Sequence, residues 1–237
     1  MIGLVSVVAV LGLGFGGGYW YAHAHQGSST LPNLGKAPTY RLTNQLGKAV
    51  TSRSFRGKVR IVTFLFPYCT EYCPLIAAHL VSLERVIKAA GLANQVQIVA
   101  FNVDPRHTGP KVLSAFMRQY GWNPHNTHWQ FLTGSAQQIR RVVTGSYHID
   151  YQQVPEALSD REAKEAEKQG IYNPPPQVPN PLAAKARPDY DVTHNDAITL
   201  VGRRGYIRRY YNPATQVPTR TLMRAVRRLL GEAPNSA

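Results

Sequence analysis

Residues 59–74 read VRIVTFLFPYCTEYCP. The first eight form a near-continuous apolar, β-prone run, the pattern of a central strand covered on both faces. Pro74 suits the first turn of a helix, where no backbone N–H is needed. Cys69 and Cys73 therefore fall at a strand-to-helix turn or in the first helical turn. Free N–H groups and the helix dipole favour thiolate there. If that turn is helical, a spacing of four brings the two sulfurs to one side. Paired soft thiolates suit Cu(I) or disulfide chemistry. A structural zinc site takes four protein ligands, and the sequence offers no second cysteine pair and no His-x-x-x-His to complete one. As a mere staple, two cysteines one helical turn apart would contribute little.

Outward from this segment, residues 74–90 carry helical spacing at Leu75, Leu80, Leu83 and Ile87 and stop at Gly91. Residues 96–103 (VQIVAFNV) give a second buried strand. A helix over 112–120, a short strand over 128–132 and a helix over 136–143 follow. Strands at 197–201 and 206–211 are joined by a Gly-containing turn at 203–205. A last helix lines up Leu222, Val226, Leu229 and Leu230, with Arg220, Arg224, Arg227 and Arg228 largely on a solvated face. The order is that of an α/β protein with a mixed sheet flanked by helices. Two features are extra. Ser159-x-x-Glu162 starts an exposed charged helix that ends at Gly170, and residues 173–188 are Pro-rich and expected to be an extended surface insert.

The chain of 237 residues divides into an apolar run at 1–22, a polar linker at 23–37, one domain at 38–231 with the insert at about 155–188, and a tail at 232–237. No charged side chain lies between Ile2 and Ala22, and Tyr19, Trp20 and Tyr21 cluster at its end. About 20 apolar residues span a bilayer, with Tyr and Trp at the interface. The run is expected to be an uncleaved N-terminal transmembrane helix; a cleaved signal peptide is the rival reading, with Ala22-His23-Ala24 loosely like a cleavage site. Gly12-x-Gly14-x-x-Gly17 lacks the acidic residue a dinucleotide site requires. Lys and Arg outnumber Asp and Glu by 27 to 13, giving a net charge of +14. The basic residues are scattered, which argues for no nucleic-acid partner and leaves an acidic protein or an anionic lipid surface.

Several motifs in order give the chain a resemblance to the Sco/SenC family of copper proteins needed for cytochrome c oxidase assembly. They are Phe55-Arg56-Gly57-Lys58 before the strand, Cys69-x-x-x-Cys73-Pro74, Val103-Asp104-Pro105, Phe131-Leu132-Thr133-Gly134, and His194 ahead of a strand and a Gly turn. The resemblance covers roughly residues 40–230. It implies a thioredoxin-like fold, a single membrane anchor with the domain on the extracytoplasmic side, and copper, Cu(I) or Cu(II), bound by Cys69, Cys73 and His194. It further implies delivery of copper to the oxidase subunit holding the binuclear copper site, with other copper chaperones as further candidate partners. The chain departs from the family at Thr70, where Pro is usual, at Thr193 and Asn195, where Asp and Ser flank the histidine, and at Thr108, where a second acid is expected.

The rival function is a thiol–disulfide oxidoreductase that uses Cys69 and Cys73 as a redox pair to keep the oxidase copper-site cysteines reduced; it needs no His194. A peroxide-reducing enzyme would need a single activated cysteine in a dedicated pocket, and no such signature is present. His79, six positions after Cys73, is turned roughly 120° from it on a helix and reads as packing. His107, His125, His128 and His148 have no metal-ligand spacing, and Met117 and Met223 read as core.

Overall fold

The computed structural model describes residues 30–172, 174–176 and 178–232. The expected anchor at 1–22 lies outside the described residues; among those described, no helix is long and apolar enough to cross a membrane. In chain order the elements are β1 (Arg41–Asn44), β2 (Ala49–Thr51), β3 (Val59–Leu65), α1 (Tyr72–Ala89), β4 (Val96–Asn102), α2 (Pro110–Gln119), β5 (Trp129–Thr133) and α3 (Ala136–Tyr147). Then come β6 (Tyr151–Pro155), α4 (Glu156–Lys168), α5 (Pro181–Ala186), β7 (Tyr190–His194), β8 (Ile198–Val201), β9 (Ile207–Tyr211) and α6 (Thr219–Gly231).

A seven-stranded sheet runs β2-β1-β5-β4-β3-β8-β9. Its centre, β3-β4-β5, is parallel, with Val59 opposite Val96 and Ile98 opposite Trp129. The flanking pairs β3–β8, β8–β9, β1–β5 and β1–β2 are antiparallel, so the sheet is mixed as expected. Every residue of β3, β4 and β5 is buried, as their unbroken apolar runs demand of strands covered on both faces. Phe64 of β3 packs on Phe101 of β4 and Tyr147 of α3, with ring centroids 6.0 and 5.5 Å apart. Trp122 meets Trp129 edge-on at 4.8 Å. Burying each such ring contributes on the order of 1.5–3 kcal/mol.

The helix ends follow local chemistry. Ser135 and Gln138 close a capping box that starts α3. Pro110 takes the first position of α2. Gly91, at φ +69°, ends α1 in a left-handed turn that only glycine enters without strain. Several of these elements depart from the sequence reading. Helix α3 runs on to Tyr147, because Gly145 sits on its surface and Ile139, Val142, Val143 and Tyr147 keep one face buried. Helix α4 begins at Glu156 after Pro155, and Ser159 lies inside it; the Ser159 hydroxyl donates to Asp191 instead of capping. Strands β1 and β2 are too short and polar to announce themselves.

A second, two-stranded sheet carries His194. Strand β6 pairs antiparallel with β7, from Tyr151 opposite His194 to Pro155 opposite Tyr190. The pair closes the base of the insert: the chain enters through β6 and returns through β7. His194 ends the returning strand.

Candidate metal centre

Beyond β3 the chain stays buried at Phe66 and turns, with the Cys69 N–H donating to the Phe66 carbonyl at 3.1 Å. Glu71 occupies the N-cap of α1 without a side-chain cap bond, so Cys69 precedes the helix and Cys73 is its second residue. Pro74 follows, where its missing N–H leaves no bond unmade. Cys69 is half-buried and Cys73 fully buried, and both are free thiols. The Phe66 N–H donates to Cys73 Sγ at 3.4 Å.

The two thiols are unequal. A hydrogen bond from the Cys73 thiol, foremost, holds Cys69 below its ordinary value, with backbone N–H groups helping. Burial, foremost, and then the adjacent Cys69 push Cys73 well above its own. Cys69 is the more readily ionised sulfur and Cys73 keeps its proton. That division suits either a nucleophile with a resolving partner or two thiolates that form only when a metal replaces the proton.

His194 Nε2 lies 3.7 Å from Cys73 Sγ. Its Nδ1 lies 3.1 Å from the Asn195 carbonyl, which can only accept, so Nδ1 carries the proton and Nε2 presents its lone pair to the thiol. Burial holds this imidazole below its ordinary value, which favours the neutral, ligating form. The three sequence-predicted residues thus meet in pairs, through Cys73. Among the described residues, no three or more His, Cys, Asp or Glu form a closed ligand set. Two thiols and a neutral imidazole fit a soft metal such as Cu(I), and they need only proton release to serve.

Other residues build the frame. Asn180, 7% exposed, donates from Nδ2 to the Pro67 carbonyl at 2.9 Å and the Cys69 carbonyl at 2.6 Å. Its Oδ1 accepts from the Leu182 and Ala183 N–H groups at the start of α5 and from Gln119 Nε2 of α2. The Pro-rich stretch is therefore not wholly an extended surface insert: it folds into α5 and pins the cysteine turn. Asn180-Pro181 is an N-cap followed by proline at the first helical position, a signal legible in the sequence.

Asp104, 2% exposed, anchors the strand that carries His194. It accepts from the Tyr190 hydroxyl at 2.8 Å, from His107 Nδ1 at 2.9 Å and from Gln153 Nε2 at 3.4 Å. Tyr190, four residues before His194, also packs on Phe66 with centroids 6.1 Å apart. Thr108 donates to the Asn102 side chain and the Asp104 carbonyl, so it closes this loop without a charge. Thr193 is exposed and Asn195 supplies only its carbonyl to His194. Of the remaining histidines, His79 pairs with the Thr219 hydroxyl, and His125 and His148 are exposed. Met117 and Met223 are buried in the core.

The chain is similar to known proteins in sequence and in fold. Residues 29–171 match the family model described as SCO1/SenC. A SCO1 protein homolog of Bacillus subtilis is 37% identical over 98 residues, 41% of this chain and 49% of the relative. The match thus spans about half the length of that relative. The solved structure of BsSco, described as a member of the Sco family of cytochrome c oxidase assembly proteins with a disulfide switch, superposes with a TM-score of 0.59. It is 23% identical and covers 85% of this chain and 98% of its own. Bradyrhizobium japonicum ScoI, solved with copper bound, gives a TM-score of 0.58 at 21% identity, over 81% of this chain and 97% of its own. These likenesses establish the thioredoxin-like fold.

Proposed function

The chain belongs to the SCO1/SenC family, and we propose that it is a copper metallochaperone: Cys69, Cys73 and His194 hold one copper ion for delivery to the binuclear copper-site subunit of cytochrome c oxidase during assembly. The apolar run at 1–22 anchors it as a single membrane span with the domain on the extracytoplasmic side. The observation that carries the reading is the Nε2 lone pair of His194 aimed at Cys73 Sγ across 3.7 Å. Thiol exchange does not require an imidazole in that place, whereas a copper ion held by only two thiols gains a third ligand from it. Loading releases the thiol protons, so copper binding and protonation compete. Three protein ligands leave the ion open to an incoming thiol, and the partner's cysteines displace them one at a time.

The unequal thiols favour one second reading, a membrane-anchored thiol–disulfide oxidoreductase. Here the Cys69 thiolate attacks a partner disulfide, forming a mixed disulfide and expelling one thiolate. Cys73 then attacks Cys69, releasing the second thiol and leaving the Cys69–Cys73 disulfide; the pair gives up two electrons and the partner's disulfide takes them. A titration against a Cu(I) chelator, run beside a disulfide-reduction assay, separates the readings. His194→Ala should weaken Cu(I) binding by at least about 10–100-fold, the loss typical of disturbing even a ligand's support. It should weaken Cu(II), which favours nitrogen donors, further, and leave disulfide reduction unchanged. Parent-like binding of both copper states would remove the copper site and leave the oxidoreductase.

A further inference from the structure

A cavity of about 680 Å³ is lined by Lys36, Arg53, Arg56, Arg60, Arg203 and Arg204, and by no acidic side chain. It lies at the far end of the sheet from the cysteines. Arg60 is the second residue of β3 and Cys69 lies beyond the last, a strand of seven residues or about 20 Å away. Among the described residues, none of the six cations joins an ion pair.

Arg60 is the telling residue. It is only 6% exposed, and its Nε finds no hydrogen-bond partner. Its guanidinium meets the Tyr40 hydroxyl, a neutral partner that leaves the charge uncompensated. The group borders the cavity: its Nη2 is 3.3 Å from where a Cβ on Gly205 would stand, and Gly205, at φ +86°, has none. Arg203 is held at the wall by donating to the Gly57 carbonyl at 3.2 Å and the Leu230 carbonyl at 3.4 Å. A desolvated cation without a counter-charge is expensive, and an anion entering the cavity removes that expense.

We propose that this cavity is a binding site for a phosphate-bearing anion with more than one negative charge. Guanidinium forks match phosphate oxygens in pairs, and a single carboxylate would answer one of six cations. The volume falls within the range of small-molecule pockets, about 300–1,000 Å³. Two sources share this chemistry, a soluble oligophosphate and a phospholipid headgroup. The site is independent of the copper reading.

The test is calorimetric titration of the full chain in neutral detergent, at fixed ionic strength, with tripolyphosphate and, separately, with glycerol 3-phosphate, the dianionic phosphate-monoester headgroup of a phosphatidate lipid. Saturable one-site binding of either is expected, and the tighter ligand names the source. The double variant Arg56→Gln/Arg204→Gln removes two exposed cations from the cavity and should weaken binding roughly tenfold for each guanidinium lost. Arg220→Gln/Arg227→Gln removes the same charge from the exposed face of α6 and should bind like the parent. Failure of both ligands to saturate, or equal weakening by the two double variants, would overturn the proposal.

Discussion

Asn180→Ala should destabilise the domain more than any other substitution of an uncharged polar residue in the insert. The asparagine makes five hydrogen bonds: two from Nδ2 to the carbonyls of Pro67 and Cys69, and three into Oδ1. Loss of an N-cap asparagine typically costs about 0.5–2 kcal/mol. The Pro67 and Cys69 carbonyls would lose a buried donor, at about 1–3 kcal/mol for each group left unsatisfied. Partial re-solvation of the half-buried cysteine turn offsets some of this, so the expected loss is about 2–4 kcal/mol. With a urea slope of about 2 kcal/mol/M, the unfolding midpoint should fall by about 1–2 M. Asn180→Asp separates cap from clamp, since aspartate still caps α5 but turns a second acceptor toward two carbonyls. It should be at least as destabilising as Asn180→Ala, and it should slow re-formation of the Cys69–Cys73 disulfide. Urea unfolding of the reduced chain is the assay. A midpoint within about 0.3 M of the parent for both variants would refute the clamp.

Three further outcomes follow from the same packing. Tyr190→Phe strips a donor from buried Asp104 and should cost about 1–3 kcal/mol in urea unfolding, while weakening copper binding through the strand that ends at His194. Gly134→Ala should cost about 1–3 kcal/mol by the same assay, because the new Cβ would stand 2.7 Å from Leu42 Cδ2 and 2.9 Å from Gln138 Oε1. Burial holds His79 below the ordinary imidazole value, so the unfolded chain binds its proton more readily than the folded one. Its contribution is full above about pH 6.5 and is lost as pH falls below that; a urea-midpoint profile should therefore flatten there in His79→Gln.

What the sequence discloses depends on how local the cause is. The run 59–66 and the pattern Cys69-x-x-x-Cys73-Pro74 place the buried strand, the turn and the thiols, because the hydrophobic period and the proline act within a few residues. His194 is legible only by resemblance; its spacing from Cys73, 121 positions, carries no signal, and β6–β7 pairing is what brings it home. Strands β6 and β7 are hidden because they are short and half-exposed. Asp104 with Tyr190, 86 positions apart, and Asn180 with Cys69, 111 apart, are long-range contacts that no periodicity announces. Ser159 misleads for the opposite reason: a local capping pattern is present, but Asp191 claims the hydroxyl.

The proposed centre holds one copper ion with two thiolates and one imidazole. X-ray absorption at the copper edge of the Cu(I)-loaded full chain tests it most directly, with His194→Ala measured alongside. A three-coordinate ion with two sulfur neighbours and one nitrogen is expected in the parent, and two sulfur neighbours with no nitrogen in His194→Ala. A parent spectrum with sulfur neighbours alone, or one unchanged by the substitution, would contradict it.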